Sequence, residues 1–403
     1  MNDMGALPRG FLWGAVKAGI KASGNLDVAA AVAPKGAQAT AMFTRNQVVA
    51  APVVVGRRHL TATGGRVKAV LVNAGNANCA TGAAGVRACV DSCRAAAEAV
   101  GCIFDEVFPS STGIIGVPLP VEKLVAAMPA AVAALGDSVA HAELFAKAIM
   151  TTDTRMKVAE AVIEADGVQV RLFGAAKGAG MIHPQLGPPH ATMLVYLFTD
   201  LRAGADDLRA MLEPAAEGSF NSISIDGDTS TNDTVLLLAS GASGVALTEA
   251  TRPAFEEALR LVCGSLAHQI VDDGEGVTHV VTLEITGAKT EADARQVAKA
   301  IAHSPLNKTA WSSADPNWGR LIAAAGYSGV EFDPERVVVW IGDQLVFEGG
   351  MRSALFDRDA AHRAMLAREY TIRIALGEGD AACSFLTCDL TEEYVRINAD
   401  YST

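Results

Sequence analysis

The stretch KGAGMIHPQLGPPHATMLVYLFTD runs from Lys177 to Asp200. A Gly-rich segment and three prolines lead into an apolar, β-prone run, Met193–Phe198, with Thr192 at its head. Proline gives no donor to a strand ladder, so Gly187-Pro188-Pro189 is a joint and not part of a central strand. A loop that feeds a strand through Ala191-Thr192 has the layout of a self-cleaving precursor. Breaking that bond would leave Thr192 as a new N-terminus with hydroxyl and α-amine on one residue. Such a pair is a nucleophile with its own base. The amine titrates near pH ~8, so much of it is neutral at cellular pH. Read alone, a threonine at a strand start is also common, because β-branched residues suit strands.

The 403 residues exceed one ordinary domain, and two or three are expected. Half the chain is apolar, Gly and Ala are abundant and aromatics are few, the composition of a tightly packed globular protein. No apolar run reaches the ~18 residues that a membrane-spanning helix needs. The start, MNDMGALPRGFLWGAVKAGIK, lacks a basic segment followed by an apolar one, so it does not read as a secretory signal. The cytoplasm is the expected compartment. A net charge of −12 without a basic stripe argues against nucleic acid. The seven cysteines, at 79, 89, 93, 102, 263, 383 and 388, read as buried free thiols.

Apolar residues recur at helical spacing over Val86–Val100, Val121–Leu135, Ala140–Met150, Asp206–Ala216, Pro253–Val271 and Thr290–His303. Strand-like runs cover Val67–Val72, Val168–Leu172, Met193–Phe198, Thr234–Leu238, His279–Ile285, Arg336–Ile341 and Tyr370–Ala375. The β runs are short and mostly non-alternating, as expected of strands covered on both faces. The mixture predicts a layered α/β (α+β) architecture. A domain boundary is expected near 287, followed by a helix with Thr290 as N-cap and Asp293 three residues on.

Several polar constellations stand out. Ser110-Ser111-Thr112-Gly113 could supply donors for an oxyanion, and as easily be a turn. Lys177, flanked by Ala175-Ala176 and Gly178-Ala179-Gly180, is better placed than a solvated lysine to reach into a pocket. Asp272-Asp273-Gly274-Glu275-Gly276 lacks the spacing of a calcium loop. Asp226, Asp228 and Asp233 resemble metal ligands in composition, but structural support is the expected role of Ser224–Asp233 and of Asp315–Arg320. No HExxH, paired CxxC, GxSxG, Walker loop or GxGxxG occurs.

The chain also resembles the ornithine acetyltransferases (glutamate N-acetyltransferases) of arginine biosynthesis. The motifs that carry the resemblance are MFTRNQ (Met42–Gln47), NAGNANCATG (Asn73–Gly82), SSTGIIG (Ser110–Gly116), IMTTDT (Ile149–Thr154), AKGAGM (Ala176–Met181), ATML (Ala191–Leu194), SIDGDTSTND (Ser224–Asp233), DGEG (Asp273–Gly276), SPLNKTA (Ser304–Ala310), DPNWGR (Asp315–Arg320) and the terminal YVRINADYST. Their number and order span nearly the whole sequence. One departure is a longer segment between Lys177 and Thr192, with its surplus at Gly187-Pro188-Pro189-His190. Extra residues beside the bond bear on the rate and extent of cleavage. His190 could assist proton transfer, although a solvated loop histidine is the simpler reading.

The resemblance implies an αββα core over 1–287, self-cleaved between Ala191 and Thr192 into chains 1–191 and 192–403. It implies a smaller C-terminal α/β domain, 288–403, whose tail returns to the active site, and an assembly of two copies of each chain. Thr192 would carry acetyl from N-acetyl-L-ornithine to L-glutamate, with Thr112 and Gly113 as the oxyanion hole. Thr151 (or its neighbour Thr152), Lys177, Glu275, Asn398 and Thr403 would bind substrate. Neither metal nor organic cofactor is called for, and the use of acetyl-CoA as a donor is left open. Two alternatives share the nucleophile: an amidase or aminopeptidase that passes the acyl group to water, and a secondary-metabolism acetyltransferase of the same fold. An uncleaved binding module is the non-enzyme reading.

Overall fold

The computed structural model describes residues 5, 7–165, 167–185 and 193–400. Along the chain come strands β1 (Leu12–Val16) and β2 (Val28–Phe43), helix α1 (Ala51–Thr63), β3 (Arg66–Asn76), α2 (Gly82–Val100), β4 (Val107–Ile114), α3 (Val121–Ala133), α4 (Val139–Ala148), β5 (Lys157–Ala165), β6 (Val168–Lys177), β7 (Leu194–Thr199), α5 (Ala205–Glu217), β8 (Thr234–Ala239) and α6 (Arg252–Asp272). These are followed by β9 (Val280–Ala288), α7 (Glu291–Ala302), α8 (Pro305–Ser312), α9 (Trp318–Gly326), β10 (Val338–Ile341), β11 (Gln344–Glu348), β12 (Met351–Arg352), α10 (Arg358–Met365), β13 (Glu369–Ala375), β14 (Ala381–Cys388) and α11 (Glu392–Asp400).

The first sheet has the order β4-β3-β2-β8-β7-β6-β5, with β1 on β2. Strand β2 turns the corner between two layers. Val28–Val32 pairs with β1 and β3, the register breaks between Val32 and Ala37, and Gln38–Phe43 then pairs with β8. Pro34 lies inside the break, where a missing donor does least harm. β7 and β8 pair in parallel, Leu194 opposite Thr234, and are buried at every position. Their side chains alternate between two cores. Leu194, Tyr196, Phe198, Leu236 and Leu238 face inward, against β1, β3 and α4. Val195, Leu197, Val235 and Leu237 face out, under Leu259, Val262 and Leu266 of α6. Trp13 of β1 bridges the layers, with its ring centroid 5.9 Å from Phe173 and 5.5 Å from Phe198. The outer face of the β2-β3-β4 layer is covered by α2 and α3 through Cys89, Cys93, Leu124 and Met128. The expected helix–sheet–sheet–helix layering is therefore present.

The second sheet, β12-β11-β10-β13-β9-β14, packs against α7 through Ala294, Val297 and Ile301. Thr290 caps α7 by accepting the Asp293 amide. The joint expected near 287 coincides with the end of β9, a central strand of this second sheet, so the change of sheet comes earlier, across α6. The reason is that β9 pairs with β13 and β14, far along the chain, which a local reading of the Gly287 turn does not reveal.

A buried ion network ties the edge strand β5 to the C-terminal end of α6. Lys157 Nζ lies 2.6 Å from Asp153 Oδ1 and 2.5 Å from Asp273 Oδ2, and all three side chains are almost fully buried. The remaining capacity of Asp153 is used by the Gly178 amide at 2.7 Å and the Thr151 amide at 2.9 Å. Burial opposes ionisation of Asp153, but Lys157, Lys177 and the Gly178 amide outweigh it and hold the carboxyl down at about 2. A depressed carboxyl contributes stability above its unfolded value near ~3.9 and loses it as pH falls further. Asp153→Asn leaves a buried cation with one partner fewer. It is expected to cost about 3–5 kcal/mol at neutral pH. Denaturant titration of both proteins checks this, and the gap between them should narrow as pH drops from about 4 toward 2. Trp13→Ala, which opens a cavity between the sheets, should lower the denaturation midpoint by an equivalent of about 3–5 kcal/mol while the far-ultraviolet circular dichroism of the native state is kept.

Candidate active site

The polar ends of β3, β4, β6 and β8 meet at one edge of the layers. A cavity of about 340 Å³ opens there. Thr112, Gly113, Thr151, Lys177, Glu275 and Asn398 all line it. Sequence reading drew these six from five motifs spread over almost three hundred positions (~290 from Thr112 to Asn398), and the fold brings them together. Both Thr151 and Thr152 line the cavity. Leu194, two positions along the chain from Thr192, also lines it. Ala191, Thr192, His190 and Thr403 lie outside the described residues.

The β3–β4 end is laced by asparagines. Asn232 donates to the carbonyls of Ala77 and Ser111 at 2.6 and 2.8 Å, and Ser111 donates to Asn73 at 2.6 Å. Gly75 and Gly113 pair across the two strands. Gly113 has φ +129°, and a Cβ there would lie 2.3 Å from the Gly75 carbonyl carbon. Only glycine fits.

Lys177 closes β6 and is buried, 7% exposed. Its ammonium donates to Thr112 Oγ1 at 3.0 Å. Burial pulls its pKa below the ordinary lysine value, while Asp153, Asp233 and Glu275 oppose that shift. The chain then turns through Gly178–Met181. Met181 takes a left-handed conformation, φ +56°, and the Asp226 carboxylate holds this turn by accepting the amides of Met181 at 2.6 Å and Ile182 at 2.9 Å. Burial nevertheless pushes the Asp226 carboxyl above the usual range. Glu275 crosses over the turn. Its amide donates to the Ala179 carbonyl at 2.9 Å, and a Cβ on Gly180 would sit 2.4 Å from its carboxylate.

Helix α11 supplies the last wall. Thr391 Oγ1 donates to the Gly276 carbonyl at 2.7 Å, Asn398 donates to Glu275 Oε2 at 2.8 Å, and the Tyr394 hydroxyl reaches Asp226 at 3.4 Å. Tyr394 and Asn398 of α11 thus line the cavity, and Asp400 is the last described residue.

Sequence reading gave Ser224–Asp233 a supporting role only. In the structure Asp226, Asp228, Ser230 and Asn232 also line the cavity. The available signal was position: a polar run directly ahead of a wholly apolar strand must end at the mouth of a two-sided sheet. Asp233 is fully buried, and neither carboxyl oxygen has a hydrogen-bond partner among the described residues. Burial pushes its carboxyl well above the usual range. Asp315–Arg320 does play a supporting role: Asn317 caps α9 by accepting the Arg320 amide at 3.3 Å. Among the described residues no group of three or more His, Cys, Asp or Glu side chains is arranged to hold a metal ion.

Chemically, the cavity is lined by one buried ammonium, by the Thr112 hydroxyl it contacts, and by the carboxyl groups of Asp226, Asp228 and Glu275. That polarity suits a small zwitterion, with a carboxylate toward Lys177 and an ammonium toward the acids.

Comparison with known proteins gives relatives over nearly the full length of the chain. The arginine biosynthesis bifunctional protein ArgJ of Thermus thermophilus is 46% identical over 397 residues, 98% of this chain and 99% of its own. The protein of that name from Methylococcus capsulatus is 44% identical over 408 residues, covering 100% of this chain and 98% of its own. The crystal structure of the arginine biosynthesis bifunctional protein ArgJ from Bacillus halodurans is 39% identical, covering 51% of this chain and 98% of that one, with a TM-score of 0.49. The ArgJ family profile matches residues 12–403. A match of that extent, with relatives at this identity over nearly full length, places the chain in the ArgJ family.

Proposed function

We propose that this enzyme moves acetyl from N-acetyl-L-ornithine to L-glutamate through an acetyl-threonine on Thr192, giving ornithine and N-acetylglutamate. The observation that carries the reading is the convergence of Thr112, Gly113, Thr151, Lys177, Glu275 and Asn398 on one zwitterion-sized cavity that Leu194 also lines. The relatives' names, which place those proteins in arginine biosynthesis, support the same assignment.

In the first half-reaction the Thr192 hydroxyl oxygen bonds to the acetyl carbonyl carbon and its proton passes to the Thr192 α-amine. Thr112 and Gly113 stabilise the oxyanion. The carbon–nitrogen bond breaks, and the departing ornithine nitrogen takes the proton from the α-ammonium. In the second half-reaction the glutamate amine attacks the ester carbonyl, and its proton returns through the α-amine to the Thr192 oxygen. Passing through an ester divides a direct amide-to-amine exchange into two easier steps. Lys177 faces the substrate carboxylate. Glu275 is assigned to the δ-ammonium of ornithine, Asn398 and Thr403 to the α-amino acid end, and Thr151 to substrate contact. Acetyl-CoA as a second donor would give the two activities that the word bifunctional requires.

The nucleophile becomes available when the Thr192 hydroxyl oxygen bonds to the Ala191 carbonyl carbon, the Ala191–Thr192 carbon–nitrogen bond breaks with the proton passing to the freed Thr192 amine, and water hydrolyses the resulting ester to the Ala191 carboxylate and the Thr192 hydroxyl. Two chains, 1–191 and 192–403, would then assemble as two copies of each in the cytoplasm.

Intact mass of the purified protein is expected to show two fragments, the second beginning at Thr192. Thr192→Ala should remain whole and inactive. Cleavage of that variant at the same bond would show that another residue is the attacking group. With labelled acetylornithine, acetyl should appear on glutamate, and little free acetate should form. Equal acetate release with and without glutamate would instead indicate a hydrolase.

A further inference from the structure

We infer that Lys177 is a positioning residue for the Thr112 hydroxyl: its ammonium takes Thr112 Oγ1 as an acceptor and so obliges the Thr112 hydrogen to point into the cavity. The inference rests on the acetyl-transfer reading above and adds a role to that site. Lys177 Nζ lies 3.0 Å from Thr112 Oγ1 in a buried contact, and both residues line the cavity. An ammonium has three donors and no acceptor, whereas a hydroxyl has one hydrogen and two lone pairs. While Lys177 is charged, Thr112 can only accept from it, and its own hydrogen must go elsewhere. A neutral Lys177 amine would have a lone pair and could capture that hydrogen, which takes the donor away from a developing oxyanion. The orientation of Thr112 is therefore tied to the charge on Lys177.

The surroundings bear on that charge from several elements. Asp153 ahead of β5, Asp233 ahead of β8 and Glu275 after α6 favour the ammonium, and Lys157 on β5 disfavours it. Lys21, between β1 and β2, faces the same region and is itself pulled down by burial to about 8. Burial pulls Lys177 below the ordinary lysine range. The charged form is present at low pH and is lost as pH rises through that lowered value. Turnover should therefore decline on the alkaline side, distinct from the rise with pH that a Thr192 amine acting as base produces near pH ~8.

The test uses the full-length protein after self-cleavage, with the mature fraction set by intact mass. kcat and KM for acetyl transfer to glutamate are measured across pH for the wild type, Lys177→Met, Thr112→Val and the double variant. Each single change is expected to lower kcat by about 10²–10³-fold. The double variant should be no slower than the slower single, the behaviour of two groups that act as one. The alkaline decline of kcat should vanish in Thr112→Val, because Lys177 then has no hydroxyl to orient. Losses that multiply in the double variant, a Lys177→Met effect confined to KM, or an alkaline decline that persists in Thr112→Val would each overturn the inference. Where either variant fails to mature, Thr112→Ser should keep the decline, and Lys177→Arg, charged throughout, should lack it; the opposite pattern refutes the coupling. A wild-type protein that makes no N-acetylglutamate would sink the acetyl-transfer reading itself, whereas an active wild type with independent variants removes only the positioning role.

Discussion

Parallel pairing of β7 with β8 constrains everything around it. A parallel pair in a layered protein is covered on both faces, so each position must be apolar. Apart from Thr199 and Thr234 at their ends and the Tyr196 hydroxyl, β7 and β8 meet that demand and leave little room for chemistry along their length. Polar residues are driven to the strand ends. There most of them satisfy one another, Asp233 being an exception, because buried polar groups without partners cost too much to be common. The asparagine lacing of Asn73, Ser111 and Asn232, and the amides gathered by Asp153 and Asp226, are the result. The cavity exists because several such ends come together.

The fold was legible where the pattern is local and strong. Met193–Phe198 and Thr234–Leu238 read as doubly covered strands, and the helices over Val86–Val100 and Pro253–Val271 lie close to α2 and α6. β2 was not legible. Its sixteen residues are rich in alanine and interrupted by Pro34-Lys35-Gly36, and alanine carries little strand preference of its own. Its extent is decided by four partners, β1, β3 and β8 beside it and the opposite layer beneath. The membership of β9 in the second sheet likewise depends on partners some ninety or more positions away.

The site was legible in a different way. Thr112, Lys177 and Glu275 carry weak signals singly, since each has an ordinary turn or surface reading, and only the ordered set of motifs drew them together. Distance along the chain hides what distance in space shows: Lys177 touches Thr112 from 65 positions away, and Asn398 touches Glu275 from 123. Asp226 was read as structural support, and it does hold the left-handed Met181 turn; that it also lines the cavity left no mark in composition.

Helix α11 differs from every other wall of the cavity. None of its residues is buried, and Asn398 on its inner face is exposed. The helix is tethered by a few exposed or half-buried polar bonds, each worth only about 0.5–1.5 kcal/mol. Segments held in this way open well before a packed sheet does. Amide exchange should therefore be rapid in Glu392–Asp400 while β7 and β8 stay protected. Mild denaturant should loosen the enclosure of the cavity long before the layers separate, and loss of ligand affinity and loss of fold would then be two events, not one.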